Sequence, residues 1–411
     1  MPSLRKDALV GAVQYYDAQV DDARHTMFLV RTAVAYGALA ANRSRVTGFI
    51  RQGERVTGVR VRDLETGQDL QIRARQVLNA TDVWTDETQA MVGERGLFRV
   101  RASKGSHLVV PRDRIASQRG LILRTPTSVL FVIPWGRHWI VGTTDTDWSL
   151  DKAHPTASSS DIDYLLAHVN KVLVTPLTRE DVEGVYAGLR PLLAGESETT
   201  SALSREHVVG HPTPGLVVVA GGKYTTYRVM AADEVVRGLD GRVPRSCTER
   251  IPLLGAEGYD AAWNARHRTA THYGIHVAWV EHLLHRYGSL ATEVLDLCAA
   301  DPVLAEALSG AEDYLAAEVV YAASHEGARH LDDVLTRRTR ILIETWDRGV
   351  SAASGAAALM ATVLGWSHEQ EAWEIEHYLA RVEAERLSQQ QPDDETADSA
   401  RMRASEIVPL P

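Results

Sequence analysis

Residues 216–228, Leu216-Val217-Val218-Val219-Ala220-Gly221-Gly222-Lys223-Tyr224-Thr225-Thr226-Tyr227-Arg228, hold the residue types and the order that a ligand site requires. An apolar, β-branched run ends in two glycines, and a lysine, two threonines and a helical pattern from Val229 to Leu239 follow. That order predicts a buried strand, a tight turn and a helix N-terminus. Glycines let a backbone approach a ligand closely. The first amides of a helix lack internal partners and carry partial positive charge, which suits an anionic or carbonyl oxygen. Thr225 and Thr226 add hydroxyls and the capacity to cap the helix. Lys223 adds a cation at the end of the dipole that disfavours one, which points to a bound anion or electron-rich ring. The alternative for the stretch by itself is a strand–helix turn without a ligand.

Two further groupings invite chemistry. His325 and His330 flank Glu326-Gly327-Ala328-Arg329, but five residues is about 500° of helical rotation, so the imidazoles do not share a face and no metal site is expected. Arg337, Arg338 and Arg340 could face lipid headgroups or a substrate mouth, or pair with Asp332, Asp333 and Glu344.

The elements that must position such groups are set by the rest of the chain. At 411 residues it has room for two or three domains. A net charge of -10 argues against nucleic acid as a partner. The two cysteines, Cys247 and Cys298, form no disulfide framework or metal spacing and suggest a reduced, cytoplasmic setting. No signal peptide is recognised at Met1 to Lys6, and no apolar run is long enough to span a bilayer.

Ala8 to Asp17 alternates and predicts a strand. Asp21-Asp22 caps a helix expected through about Ala41, with small residues suited to packing on a sheet. Val46 to Gln52, Val56 to Asp63 and Asp69 to Ala74 predict a three-stranded meander. Gln76 to Thr81 and Arg99 to Pro111 predict strands. Ser128 to Trp135 and His138 to Thr144 predict a hairpin turning at Gly136-Arg137. Ser158 to Asp161 caps a helix to about Leu173. From about Asp260 the chain becomes Ala-, Leu-, Glu- and Arg-rich with helical periodicity. The expected division is an oxidoreductase domain over 1–245, an α-helical domain over 246–387, and a polar, disordered tail over 388–411.

Six stretches together resemble the FAD-dependent, quinone-linked glycerol-3-phosphate dehydrogenase family, within the D-amino-acid-oxidase-like flavoproteins. They are YYDAQVDDAR (Tyr15 to Arg24), KGSHLVVPR (Lys104 to Arg112), FVIPW with GTTD (Phe131 to Trp135, Gly142 to Asp145), YAGLRPL (Tyr186 to Leu192), GGKYTTYR (Gly221 to Arg228) and DVLTRRTR (Asp333 to Arg340). The resemblance implies an α/β (α+β) flavoprotein fold with interleaved cofactor and substrate parts, followed by an all-α domain.

It further implies hydride transfer from C2 of glycerol 3-phosphate to the flavin, giving dihydroxyacetone phosphate. That chemistry needs a base, cations for the phosphate and the developing carbonyl, and donors at the flavin edge. By its motif His107 is the expected base, and its imidazole can accept a proton near pH 7. Arg190 and Arg205 match substrate arginines, and a guanidinium can grip an oxyanion with two donors. Lys223 is expected at the flavin or the phosphate. Val46, Ala80, Thr81, Trp84, Gly221, Gly222, Lys223, Thr225 and Thr226 are the residues the resemblance assigns to FAD. A quinone acceptor, contact with the cytoplasmic face of a membrane and a homodimer complete the expectation.

The sequence departs from that pattern twice. No GxGxxG occurs in it, so the chain is expected to be a fragment of the family's length. Asp82 stands where the family has glycine, adding bulk and negative charge beside the cofactor. The competing readings are a glycerol-3-phosphate oxidase that passes electrons to oxygen and a non-catalytic remnant.

Overall fold

Asp21 opens the first helix, α1 (Asp22–Ala35), by accepting a hydrogen bond from the Arg24 amide at 3.1 Å. The computed structural model describes residues 3–8, 11–93, 98–125, 129–194 and 206–407. It divides into one unit of Met1–Leu9, Arg43–Arg250 and Ala384–Pro411, and a second of Val10–Asn42 and Ile251–Glu383.

The first unit is built on three sheets. β1 (Ser44–Gln52), β2 (Arg55–Asp63) and β3 (Asp69–Arg73) form the expected antiparallel meander. β4 (Val77–Asn79) leads through a helical turn at Asp82–Trp84 into α2 (Thr85–Ala90). β5 (Val100–Pro111), β6 (Leu121–Arg124), β7 (Val129–Trp135), β8 (His138–Gly142) and β9 (Thr146–Trp148) follow, then α3 (Ser159–Val169) and β10 (Gly184–Leu193). The large sheet has the order β10-β5-β8-β7-β6, with β9 also pairing β5. β11 (His207–Thr213), β12 (Leu216–Gly221) and the helix α4 (Tyr227–Gly238) complete the unit's central part. β12 lies between β11 and β4 and runs parallel to β4.

The large sheet buries one face against α3. Ile162, Leu165, Leu166 and Val169 recur at helical spacing and meet Leu108, Val110, Leu130, Val132, Val141 and Val185 from the strands. Each such side chain contributes about 1.5–3 kcal/mol by leaving water. Ser158 and Asp161 close α3's N-terminus as a capping box. The other face of the sheet carries the candidate site.

The second unit is helical: α5 (Tyr259–Tyr273), α6 (Val277–Tyr287), α7 (Ala291–Ala300), α8 (Ala316–His325), the short α9 (Leu331–Asp333) and α10 (Ile341–Glu344), and α11 (Val350–Leu364). A small hairpin, β13 (Ala307–Leu308) with β14 (Ala311–Leu315), interrupts it. α12 (His368–Ser388) runs out of this unit, and α13 (Asp394–Arg401) belongs to the first.

Four sequence expectations change. Residues 11–20 are exposed and form no strand; alternation gives propensity, but a strand needs a ladder partner. α1 stops at Ala35, and Gly37 follows at φ +94°. Residues 10–42 group with the helical unit rather than with an oxidoreductase domain over 1–245. The reason is a buried ion pair: Arg24 Nη1 and Nη2 donate to the Glu326 carboxylate at 2.5 and 2.6 Å. Finally, the segment expected to be a disordered tail is helical over Asp394–Arg401, where Arg401 is 3% exposed and pairs with Glu385 and Glu406.

Two of the arginines of the helical unit reach partners beyond the neighbouring carboxylates. Arg340 binds Asp21 and Asp22, and Arg338 donates to the Glu326 carbonyl at 2.9 Å. His330 Nδ1 lies 2.7 Å from Glu374, while His325 stacks on Tyr321 with centroids 4.6 Å apart.

Candidate active site

Side chains alternate along a strand, so Ser103, Gly105 and His107 leave β5 on one face and Lys104, Ser106 and Leu108 on the other. The antiparallel register with β10 sets Arg190 opposite Ser103, Gly188 opposite Gly105 and Tyr186 opposite His107. His107 and Arg190 therefore share one face, with two glycines between them. Gly105 leaves room for the guanidinium to fold over the sheet: a Cβ there would stand 2.5 Å from Arg190 Nη2, whereas one at Gly188 would meet nothing within 4 Å.

The imidazole is seated from two sides. It stacks on Tyr186 with centroids 4.8 Å apart and planes within 10°. Across the sheet it faces Gly142, where a Cβ would come within 2.2 Å of its Cδ2. Thr143, next in the chain, accepts a hydrogen bond from Arg190 Nη2 at 2.9 Å, and the Thr144 carbonyl accepts one from Nη1 at 3.3 Å. The end of β8 and the residues just after it thus touch both functional side chains, Gly142 facing His107 and Thr143 and Thr144 holding Arg190.

Gly221 lies at the far end of β10. A Cβ there would stand 2.9 Å from the Leu193 side chain, the last residue of β10, and 2.6 Å from the Glu206 carbonyl. Gly221 and Gly222 have φ of +74° and +87°, a region that side chains disfavour. Residues 223–226 are exposed. Neither threonine caps α4 as the sequence suggested. Thr226 Oγ1 donates to the Lys223 carbonyl at 3.0 Å, and the N-cap makes no side-chain bond to the helix. The Tyr227 amide that opens α4 donates to the Tyr224 carbonyl of the preceding turn.

The parallel pairing of β12 with β4 brings Ala80 and Thr81 to the same sheet end as the glycine turn. Ligands of open α/β sheets bind beyond the carboxyl ends of parallel strands. There Asn79, 3% exposed, accepts bonds from the Thr81 amide and hydroxyl at 3.1 and 2.7 Å. Its Nδ2 is buried without a hydrogen-bond partner among the described residues. Such a donor is costly to leave unmade and suits a ligand oxygen. Two positive-φ glycines, a helix N-terminus whose N-cap side chain makes no bond, and this donor fit a ligand rich in carbonyl and phosphate oxygens, as FAD is.

The remaining expected residues are more dispersed. Trp84 is 37% exposed and ends the turn after β4. Val46 pairs with Val61 in the meander, a separate sheet. Asp82 adopts φ +53°, the left-handed region that glycine would fill without strain. Desolvation raises its carboxyl pKa above the usual value, against the Val83 amide. Arg205 lies outside the described residues.

Three residues escaped the sequence reading. Tyr186 was accessible from β10's alternation with Arg190. Lys104 sits on the apolar side of β5, where a lysine demands a counter-ion, and that too was a usable signal. Asp145 had no local signal beyond its motif.

Residues 1–228 match the family described as FAD dependent oxidoreductase, and residues 246–371 match the C-terminal domain of alpha-glycerophosphate oxidase. The chain is 55% identical over 408 residues to glycerol-3-phosphate dehydrogenase 2 of Mycobacterium tuberculosis (strain ATCC 25618 / H37Rv), covering 98% of this chain and 70% of that protein. It is 33% identical over 391 residues to the mitochondrial glycerol-3-phosphate dehydrogenase of Mus musculus, covering 91% of this chain and 54% of that one. The solved structure of the glycerol-3-phosphate dehydrogenase from Bacillus halodurans complexed with FAD superposes with a TM-score of 0.81 at 29% identity, covering 93% of this chain and 77% of that chain.

Proposed function

The chain belongs to the FAD dependent oxidoreductases, and from that membership we propose that it oxidises sn-glycerol 3-phosphate to dihydroxyacetone phosphate and passes the electrons to a quinone. FAD, when bound, would supply the redox chemistry as acceptor of the substrate's hydride. Everything else falls to side chains of this chain.

His107 takes the proton of the C2 hydroxyl as the hydride leaves. Tyr186 and Gly142 hold its ring flat against the sheet, which fixes the direction of the proton transfer. Arg190, over Gly105, holds an oxyanion, either the phosphate or the developing carbonyl oxygen. Lys223, exposed beside the glycine turn, meets phosphate or the cofactor edge. Gly221, Gly222, the first amides of α4, Asn79 and Thr81 would hold FAD through its oxygens, with Ala80, Trp84, Thr225 and Thr226 nearby in sequence.

The observation that carries this reading is the placement of His107 and Arg190 on one face of one sheet, over bare glycine positions. The relatives named glycerol-3-phosphate dehydrogenase supply the substrate. Action at the cytoplasmic face of a membrane belongs to the same proposal, as does a homodimer. Among the described residues no helix is long and apolar enough to cross a membrane.

Anaerobic mixing of the flavin-loaded chain with sn-glycerol 3-phosphate tests the reading. The flavin absorbance should bleach with this substrate and not with glycerol, and quinone should restore it. A spectrum that substrate leaves unchanged refutes the proposal. Stoichiometric peroxide on admitting oxygen, with no response to quinone, would move the protein to the oxidase alternative.

A further inference from the structure

We propose that Asp145 is a positioning residue that sets the direction of the Arg190 guanidinium and thereby the affinity of the site for a phosphate monoester. The inference rests on the reading that Arg190 meets the substrate.

Asp145 follows Gly142, Thr143 and Thr144, and its side chain is 4% exposed. A carboxylate that deep needs donors. Ser103 Oγ donates to Oδ1, and Arg190 Nη1 lies 3.7 Å from the same oxygen. Ser103 is the residue opposite Arg190 in the β5–β10 register, so the hydroxyl that holds Asp145 sits at the root of the arginine. The Ser106 amide donates to Thr144 Oγ1 at 2.9 Å and ties the segment to β5. Gly105 leaves the space into which the guanidinium is turned.

The kind of contact matters. Asp145 meets Nη1 at 3.7 Å through the oxygen that Ser103 also engages. A contact at that distance orients the planar fork by charge rather than by a directional hydrogen bond. Thr143 and Thr144 supply the directional hydrogen bonds, and Asp145 keeps the cation against them.

Charge alone predicts the opposite outcome from positioning. Removing a carboxylate beside a cation should strengthen phosphate binding if only net charge matters. If orientation matters, the same change weakens it.

The experiment measures inorganic phosphate binding to the full chain by calorimetry, and KM and kcat for sn-glycerol 3-phosphate in its flavin-loaded form. Asp145→Asn should weaken phosphate and raise KM by about tenfold each, with kcat within about twofold. Asp145→Glu should recover part of the loss. Ser103→Ala, which leaves the carboxylate in place but unanchored, should shift both quantities the same way by less, and it keeps the test open if Asp145→Asn does not fold. Unchanged or tighter phosphate binding in Asp145→Asn or Ser103→Ala overturns the inference. Arg190→Lys separates the two levels: if it alters neither phosphate affinity nor KM, the assignment of Arg190 to the substrate fails. If it weakens both while the Asp145 variants do not, only the positioning role fails.

Discussion

The Lys104 ammonium lies 2.6 Å from the Asp161 carboxylate, with side chains 0% and 5% exposed. Asp394 of α13 completes the site, and the Trp148 ring centroid is 5.1 Å from Nζ. One residue along β5 from the site floor, this cluster joins the sheet to α3 and to the C-terminal segment. Breaking such a pair leaves an uncompensated buried charge. Lys104→Met and Asp161→Asn should each destabilise the first unit by about 3–5 kcal/mol. Asp394→Asn should cost less, because Asp394 is 28% exposed. The double variant Lys104→Met with Asp161→Asn should cost less than the sum. Urea unfolding followed by tryptophan fluorescence measures all four, and additive effects would contradict the coupling.

Gly142 and Gly105 are the floor on which the two functional side chains rest. Alanine at 142 would place a carbon 2.2 Å from His107 Cδ2, and alanine at 105 one 2.5 Å from Arg190 Nη2. The imidazole and guanidinium must then move. Gly142→Ala should lower kcat/KM by about 100-fold or more through displacement of the base. Gly105→Ala should act mainly on KM. Steady-state kinetics on protein with unaltered circular dichroism decides it; wild-type rates in Gly142→Ala would remove His107 from the chemistry.

Much of this arrangement was written in local pattern. The meander, the hairpin turning at Gly136-Arg137, the capped helix at Ser158 and the strand–turn–helix at Leu216 all follow from alternation, turn residues and caps. Long-range pairing was not. Arg24 meets Glu326, 302 positions away, and that contact joins α1 to the helical unit although its small residues suggested packing on a sheet. The polar composition after Ser388 resembled disorder because composition cannot tell a solvated charge from a buried counter-ion, and Asp394 and Arg401 are of the second kind. At the site, the parity of β10 gave Tyr186, Gly188 and Arg190 a common face. The turn that brings Asp145 back to Arg190 left no periodic trace.

The glycine turn carries its own prediction. Gly221 has φ +74°, and a Cβ there meets the Glu206 carbonyl at 2.6 Å. Gly221→Ala should therefore distort the turn and reduce the flavin carried by the purified protein, read as the ratio of visible to ultraviolet absorbance. Thr225→Ala, at an exposed position, should leave folding intact and affect flavin content less. Full flavin occupancy in Gly221→Ala would detach the turn from the cofactor.

Two carboxyls should give the protein opposite responses to pH. Burial alone would raise Glu318, but the His282 imidazole, 2.8 Å away, and Arg286 overrule it and take its pKa down to about 2. Its stabilisation is present above the unfolded value near 4.5 and is lost as pH falls toward 2, a contribution of about 3 kcal/mol from that shift. Glu234 of α4 is 6% exposed, and burial raises its pKa to about 7. A raised carboxyl favours folding below 4.5 and loses that contribution as pH rises through 7. Glu234→Gln should raise the melting temperature at pH 8 and leave it nearly unchanged at pH 4. Glu318→Gln should lower it at pH 6, with the gap to wild type closing toward pH 2.5. A Glu234→Gln protein that melts no higher than wild type at pH 8 would show that the carboxylate finds solvent or a partner in the native state.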